Sequence, residues 1–215
     1  MKNELIRKAI SEIENPTFGT TEQLLEVLNV EKENGKLKVE RVDFESLDET
    51  NVVYFRVKNE PFFLSVYFYK ENNEIANVGT ENGNQVYFTA TSENRTFKQL
   101  SELTKLSGLK GWSVNDDRKI GKGKYSFSRL SFEPIESRAY DLDTKLKLLL
   151  TELEKNFDGI IKLTEMADTG IAIHHQQYIS GNMAINFDIE TINRLSKLNL
   201  GIEIDQYVYG NEFKI

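Results

Sequence analysis

Apolar positions along the chain switch between two periods, and the switches mark the elements. Leu5, Ile6, Ala9, Ile10 and Ile13 fall on one stripe at helical spacing and Pro16 bars continuation, so the pattern predicts an amphipathic helix over Glu4 to Glu14. A second helix is expected where Thr20 and Gln23 have the spacing of a capping box and Leu24, Leu25, Val27 and Leu28 follow. Asn34-Gly35 ends that region, and alternation by two takes over. Leu37, Val39, Arg41 and Asp43 read as a strand, and Asn51 to Lys70 as a β-hairpin turning at Asn59-Glu60, with Pro61 opening its second strand. One hairpin face carries Val53, Phe55 and Val57 against Phe62, Leu64, Val66 and Phe68, which makes it core. The other carries Tyr54, Arg56 and Lys58 beside Phe63, Ser65, Tyr67 and Tyr69, more aromatic surface than solubility requires. Packing beneath a helix or a neighbouring unit is the favoured reading of that face, ahead of a protein interface or a ligand-binding platform.

From Glu71 to Asn84, polar residues and glycines surround one short apolar strand, Ile75 to Val78, and a domain boundary is expected there. The expected units are residues 1–83 and 84–215. In the second, a strand at Val86 to Thr91 leads into a helix whose capping box is Thr96 and Gln99, with a glycine stop at Gly108. A lysine-rich loop, Asn115 to Lys124, precedes a strand at Tyr125 to Glu133. The strongest helix follows the cap residue Asp141, with Leu142, Leu146, Leu149 and Leu153 on its stripe and Asp158-Gly159 at its end. Ile160 to Glu165 and Ile171 to Ile179 read as a hairpin around Asp168-Thr169-Gly170. Asp188 then caps a helix carrying Ile189, Ile192 and Leu195, and Ile202 to Tyr209 is the final strand.

Thr96-Phe97-Lys98-Gln99-Leu100-Ser101-Glu102-Leu103, leading to Trp112, is echoed by Glu190-Thr191-Ile192-Asn193-Arg194-Leu195-Ser196-Lys197-Leu198, leading to Ile204. Both copies read as strand, helix, strand, which points to an α+β chain of two small units. The C-terminal unit is expected to be a mainly antiparallel sheet with helices on one face, a ferredoxin-like duplicated strand-helix-strand. The stretch Val86 to Tyr209 resembles a bacterial family of domains of unknown function. The likeness rests on the opening strand and helix, on Trp112 before a charged turn, on Tyr140-Asp141-Leu142-Asp143 ahead of the leucine-rich helix, and on Leu195-Ser196-Lys197-Leu198 running into Ile202-Glu203-Ile204-Asp205-Gln206-Tyr207. The resemblance covers about three-fifths of the chain and implies no activity, cofactor or catalytic residue; Met1 to Gly83 lie outside it.

The 215 residues are 39% hydrophobic, enough for a genuine core. No run of eighteen apolar residues and no signal-peptide block is present, so a cytoplasmic protein without membrane attachment is expected. Absence of cysteine removes disulfides, thiolate zinc sites and thiol nucleophiles. A net charge of −7 disfavours nucleic acid and anionic lipid and favours a basic protein partner.

Candidate chemistry is sparse. His174 and His175 are adjacent on an expected strand and therefore point to opposite faces, so one packed ring and one solvated ring is a better account than a metal pair. Lys119 to Lys124, Lys-Ile-Gly-Lys-Gly-Lys, lacks the P-loop order and precedes a strand, which makes it a solvated loop. The acids Asp43, Glu45, Asp48, Glu49, Asp116 and Asp117 suit caps and turns, and no serine sits in a nucleophile elbow. Trp112, beside Gly111, is read as a core plug ahead of a surface hot spot. Candidate binding residues are Tyr54, Phe63, Tyr67, Tyr69, Trp112, Asp116, Arg118, His174 and His175; no catalytic residue, metal or cofactor is assigned. A non-enzymatic protein that binds a basic macromolecule, in the manner of immunity or antitoxin proteins, is the leading expectation. A small-ligand domain with its site between the two halves near Trp112 and the His174 strand comes next, and a hydrolase assisted by a metal at His174 or His175 with Asp168 comes last.

Overall fold

The computed structural model describes residues 1–45, 49–181 and 184–212, so Asp48, one of the acids noted above, lies outside the described residues. Helices α1 (Lys2–Glu14) and α2 (Gly19–Val27) precede a two-stranded ribbon of β1 (Lys32–Glu33) and β2 (Lys36–Leu37). Asn34 and Gly35, both at positive φ, form its turn, which few other residue pairs adopt without strain. Strands β3 (Val39–Asp43), β4 (Thr50–Arg56), β5 (Phe63–Tyr69) and β6 (Ile75–Glu81) make an antiparallel sheet in that order. Strand β7 (Gly83–Ser92), helix α3 (Phe97–Ser101), β8 (Lys110–Trp112), β9 (Ser128–Phe132), helices α4 (Leu142–Glu154) and α5 (Phe157–Met166), β10 (Asp168–Tyr178), α6 (Ile189–Lys197) and β11 (Gly201–Tyr209) complete the chain. The second sheet has the order β11-β10-β7-β9-β8. All its pairs are antiparallel except β10 with β11. The chain is therefore α+β. The two echoed units differ in space, because β9 lies between β7 and β8 whereas β10 and β11 pair directly.

The first sheet is covered on both faces. Leu5, Ala9, Ile13, Leu24 and Leu28 from α1 and α2 pack on the expected core face of the hairpin, against Val53, Phe55, Val57, Phe62, Leu64, Val66 and Phe68. On the other face Tyr54 and Phe63 are buried with Val52 and Ala139, and Tyr67 packs against them. The segment linking β9 to α4 covers this aromatic face, and the Arg41 guanidinium lies 3.1 Å above the Tyr140 ring. Tyr67 donates to Glu81 Oε1 at 2.8 Å, and Tyr69 alone of the four aromatics is exposed.

The expected capping box at Thr20 and Gln23 does not form, since α2 starts at Gly19 with Phe18 as its cap residue. Glu12 does the capping from the preceding helix: its carboxylate accepts from Thr17 N, Phe18 N, Thr17 Oγ1 and Thr21 Oγ1. Burial pushes the Glu12 pKa up, but these hydrogen bonds together outweigh it and hold the carboxyl below its ordinary value.

In the second sheet Val86, Phe88, Ala90, Leu130, Phe132, Ile171 and Ile173 face one side, where they meet Leu146, Leu149, Leu150 and Leu153 of α4, Ile160 and Leu163 of α5, and Leu195. The caps expected at Thr96 with Gln99, at Asp141 and at Asp188 are present. Three expectations are corrected. Asp158-Gly159 does not end helical structure: a break at Asn156 starts α5, so Ile160 to Glu165 is helix and the hairpin around Asp168 is absent. The run Ile160-Ile161-Leu163 suits either period, and burial of Ile160 and Leu163 against the sheet selects the helix. Helix α3 ends at Ser101, well short of the expected glycine stop at Gly108. Helix α6 docks through Thr191, Leu195 and the following Leu198, leaving Ile189 72% and Ile192 48% exposed.

One asparagine ties the second sheet to the segment that covers the first. Asn84 on β7 uses all four polar groups: its N–H reaches Arg138 O, its carbonyl takes Lys145 Nζ at 2.8 Å, Nδ2 donates to Tyr140 O and Oδ1 meets His175 Nδ1 at 2.8 Å. Lys145 also donates to Ser137 O at 2.9 Å. Burial pushes its ammonium pKa down to about 8, opposed in part by Glu133.

Candidate functional site

Strand alternation sends the other half of the second sheet outward, and no helix among the described residues packs on that face. From β8 to β11 it presents Trp112, then Arg129, then Tyr87 and Thr89, then His174, then Asp205. The register pairs Arg129 with Trp112 on one side and Thr91 on the other, Tyr87 with Ala172, and His174 with Asp205. Small neighbours make the crowding feasible. Ala172 opposite Tyr87 leaves that ring room, and Gly111 lets β8 close on β9, since a Cβ there would lie 1.9 Å from Arg129 O.

A polar chain crosses four strands. Arg129 donates from Nη2 to Tyr87 Oη at 2.9 Å and from Nε to Thr89 Oγ1 at 3.1 Å. Its guanidinium also lies 5.3 Å from the Tyr87 ring centre and 5.7 Å from that of Trp112, within cation–π range. Tyr87 Oη is 3.1 Å from His174 Nε2, which in turn is 3.5 Å from Asp205 Oδ2. Around this chain the indole of Trp112 stacks on Tyr125 at 4.5 Å and donates to Phe127 O, and the Tyr207 ring meets His174 edge to face. The result is an aromatic and polar surface whose central cation, Arg129, is already engaged. A recess of about 370 Å³ opens beside it, lined by Thr89, Thr91, Arg129, Asp168, Gly170 and Glu203 among others.

The expected site residues divide between this face and elsewhere. Trp112 and His174 share it but are not neighbours: they lie three strands apart across the sheet, and the register sets Trp112 level with Asp168, six residues along β10 from His174. Trp112 belongs to neither apolar core and is half-buried, which corrects its reading as a core plug; the partly wet indole needs an acceptor and takes the Phe127 carbonyl. Asp116 and Arg118 shape the adjoining loop, Asp116 Oδ2 accepting from Ser113 N and Arg118 Nε donating to Lys124 O. His175 points to the opposite side of β10, buried at Asn84, while Tyr54, Phe63 and Tyr67 pack within the first sheet's cover. Asp168 stands six residues, about 20 Å, along β10 from His174, so the sheet does not assemble the metal-assisted pair. Among the described residues no group of three or more His, Asp or Glu side chains could hold a metal ion.

The recess between the two halves, lined by Glu40, Arg56, Phe63 and Arg138 among others, includes neither Trp112 nor His174. Sequence reasoning missed Tyr87, Arg129 and Asp205. The available signal was the alternation of β7, whose Gln85, Tyr87, Thr89 and Thr91 are too polar for a covered face.

The whole of this open face lies within residues 80–209, which match the family model DUF4279, a domain of unknown function. The chain belongs to the DUF4279 family. The match spans β7 to β11 and stops short of nearly all of the first sheet, so the family's region is the one that leaves a face uncovered. No curated protein and no solved structure matches the chain.

Proposed function

We propose that this DUF4279 protein is a non-enzymatic binding protein for a basic macromolecular partner, with the open face of the five-stranded sheet as its contact surface. The carrying observation is that this face holds Trp112, Tyr125, Phe127, Tyr87 and Tyr207 around a fixed guanidinium, with no helix among the described residues packed over it. Aromatic and arginine side chains of that kind are the anchors of protein interfaces. Glu203 and Asp205 add exposed carboxylates, while the cation Lys110 at the far edge is paired with Glu136, and the chain carries a net charge of −7. Electrostatic complementarity then favours a cationic partner, and neutralisation of a basic toxin is one role of this class.

Trp112 is the chain's single tryptophan, so its fluorescence reports on this surface alone. Poly-lysine at low salt should change that emission, poly-glutamate should not, and raising salt to roughly 0.5 M should reverse the change. No response to poly-lysine, together with recovery of no partner from a native cell extract at low salt, overturns the reading. The recess beside Arg129 supports a second reading, a small ligand held by Thr89, Thr91 and Glu203, which a metabolite screen would register as thermal stabilisation.

A further inference from the structure

Edge strands are normally protected by brevity, lysine, proline or a bulge, because their unpaired backbone groups template pairing with another chain. Among the described residues, three of the four edges of the two larger sheets follow that rule. Strand β8 has only three residues, β3 breaks register between Val39 and Arg41, and β6 pairs with a shift at Tyr67/Phe68. Strand β11 does not. It is nine residues long, pairs with β10 in unbroken register from Gly201 to Tyr209, contains neither proline nor lysine, and exposes seven of its nine residues.

Its two faces differ in chemistry. Glu203, Asp205 and Tyr207 project on the open face beside His174, while Ile204, 38% exposed, and Val208, 53% exposed, project on the other. An added strand would set alternate side chains beside these two rows. Those beside Glu203 and Asp205 would best be cationic, with the Tyr207 ring to receive one of them, and those beside Ile204 and Val208 apolar. A second copy of β11 is a poor occupant, since Gly-Ile-Glu-Ile-Asp-Gln-Tyr-Val-Tyr offers no cation to either carboxylate.

We propose that β11 is a strand-addition edge that takes an extended segment of a partner protein in which lysine or arginine alternates with apolar residues. This rests on the open face as the contact surface for a basic partner, and adds the mode of binding and the partner's sequence pattern.

The probe is an acetylated, amidated nine-residue peptide alternating lysine and valine, with a peptide of the same composition in two blocks as control. Bound to the full chain at roughly 20 mM salt, the alternating peptide should slow hydrogen exchange of β11 amides by about tenfold or more and should bind about tenfold tighter than the block peptide. Paired Glu203→Lys and Asp205→Lys substitutions should lower its affinity by about tenfold or more and create binding of an alternating glutamate and valine peptide. The isosteric pair Glu203→Gln and Asp205→Asn, read alongside, should weaken binding without a change in fold. Equal binding of the two lysine peptides, or a dimer whose β11 amides are protected before peptide is added, overturns the proposal. A change in Trp112 emission with no protection of β11 overturns strand addition alone and leaves the open face as a contact surface; absence of both signals removes both.

Discussion

The two sheets answer the same physical problem differently. The four-stranded sheet buries both faces, one under α1 and α2 and the other under the segment carrying Ala139 and Tyr140, so Tyr54 is 1% exposed although it stands on the nominally outer side. The five-stranded sheet buries one face under α3 to α6 and leaves the other to Arg129, Tyr87, His174 and Asp205. Aromatic content therefore does not identify the functional face. Tyr54 and Phe63 are packing because a segment from the other half lies over them, whereas Trp112 stacks on Tyr125 and Tyr207 meets His174 edge to face with no helix among the described residues over either.

The largest test of this contrast is a matched pair of truncations. Tyr54→Ala should cost about 3–5 kcal/mol, as other buried aromatics do, and Leu149→Ala in the second core about 2–5 kcal/mol. Tyr207→Ala, on the open face, should change stability by no more than about 0.5 kcal/mol. Urea midpoints decide it: if Tyr207→Ala is as costly as Tyr54→Ala, the second sheet is covered after all, and an unchanged midpoint for Leu149→Ala would remove that leucine from the core.

Next in size is Lys145, at the seam where the sheets meet. Its folded pKa, lowered to about 8 from 10.5, means that between these values the unfolded chain keeps a proton the folded chain has lost. Stability should therefore rise as pH is raised from about 8 to about 10.5, by about 3 kcal/mol from this group. Lys145→Met removes the charge but leaves Asn84 O and Ser137 O without their donor, so it should flatten the alkaline rise whatever its stability at pH 7. A rise of the same size in Lys145→Met would show that the buried ammonium is not its source.

Much of the fold was legible because local signals and tertiary packing agree. Alternation in β4 and β5 picked out the core face of Phe55, Leu64 and Val66, and side-chain caps at Thr96, Asp141 and Asp188 marked three helix starts. Failures came where a local pattern served two structures or where the partner was remote. Ile160-Ile161-Leu163 fits strand or helix until α5 has a sheet to lie on, and Thr20 with Gln23 has the capping spacing although Glu12 supplies the acceptors. The open face was illegible because its members come from separate strands that only the order β11-β10-β7-β9 brings together.

Glu12 offers a test within the first half. Its folded pKa is lowered, so the stability it supplies is full above its unfolded value near 4.5 and is lost as pH falls through the folded value. Glu12→Gln places an amide among four donors and should cost about 1–3 kcal/mol at pH 7, with a flatter acid limb below pH 4.5 than the parent. An unaltered acid limb would mean that the carboxylate is not what starts α2.

The smallest expected effect separates the two faces of a single strand. His175, on the covered side of β10, is 2% exposed, and its Nδ1–H donates to Asn84 Oδ1, because Asn84 Nδ2 is committed to Tyr140 O. Its Nε2 is buried with no hydrogen-bond partner, so a proton added there would bring a charge and an unsatisfied donor into the seam. Burial accordingly lowers the His175 pKa below its ordinary 6.5. The unfolded chain takes up this proton first as pH falls, so stability is full above about pH 6.5 and declines through the interval down to the folded pKa. That loss precedes the one at Glu12 and acts on the seam rather than on α2. Denaturant midpoints measured from pH 7.5 to 5 should fall for the parent, and His175→Asn, which has no titratable ring, should show a shallower decline from a lower starting stability. Equal slopes for parent and variant would place the source of the decline elsewhere and leave the seam insensitive to protons at His175.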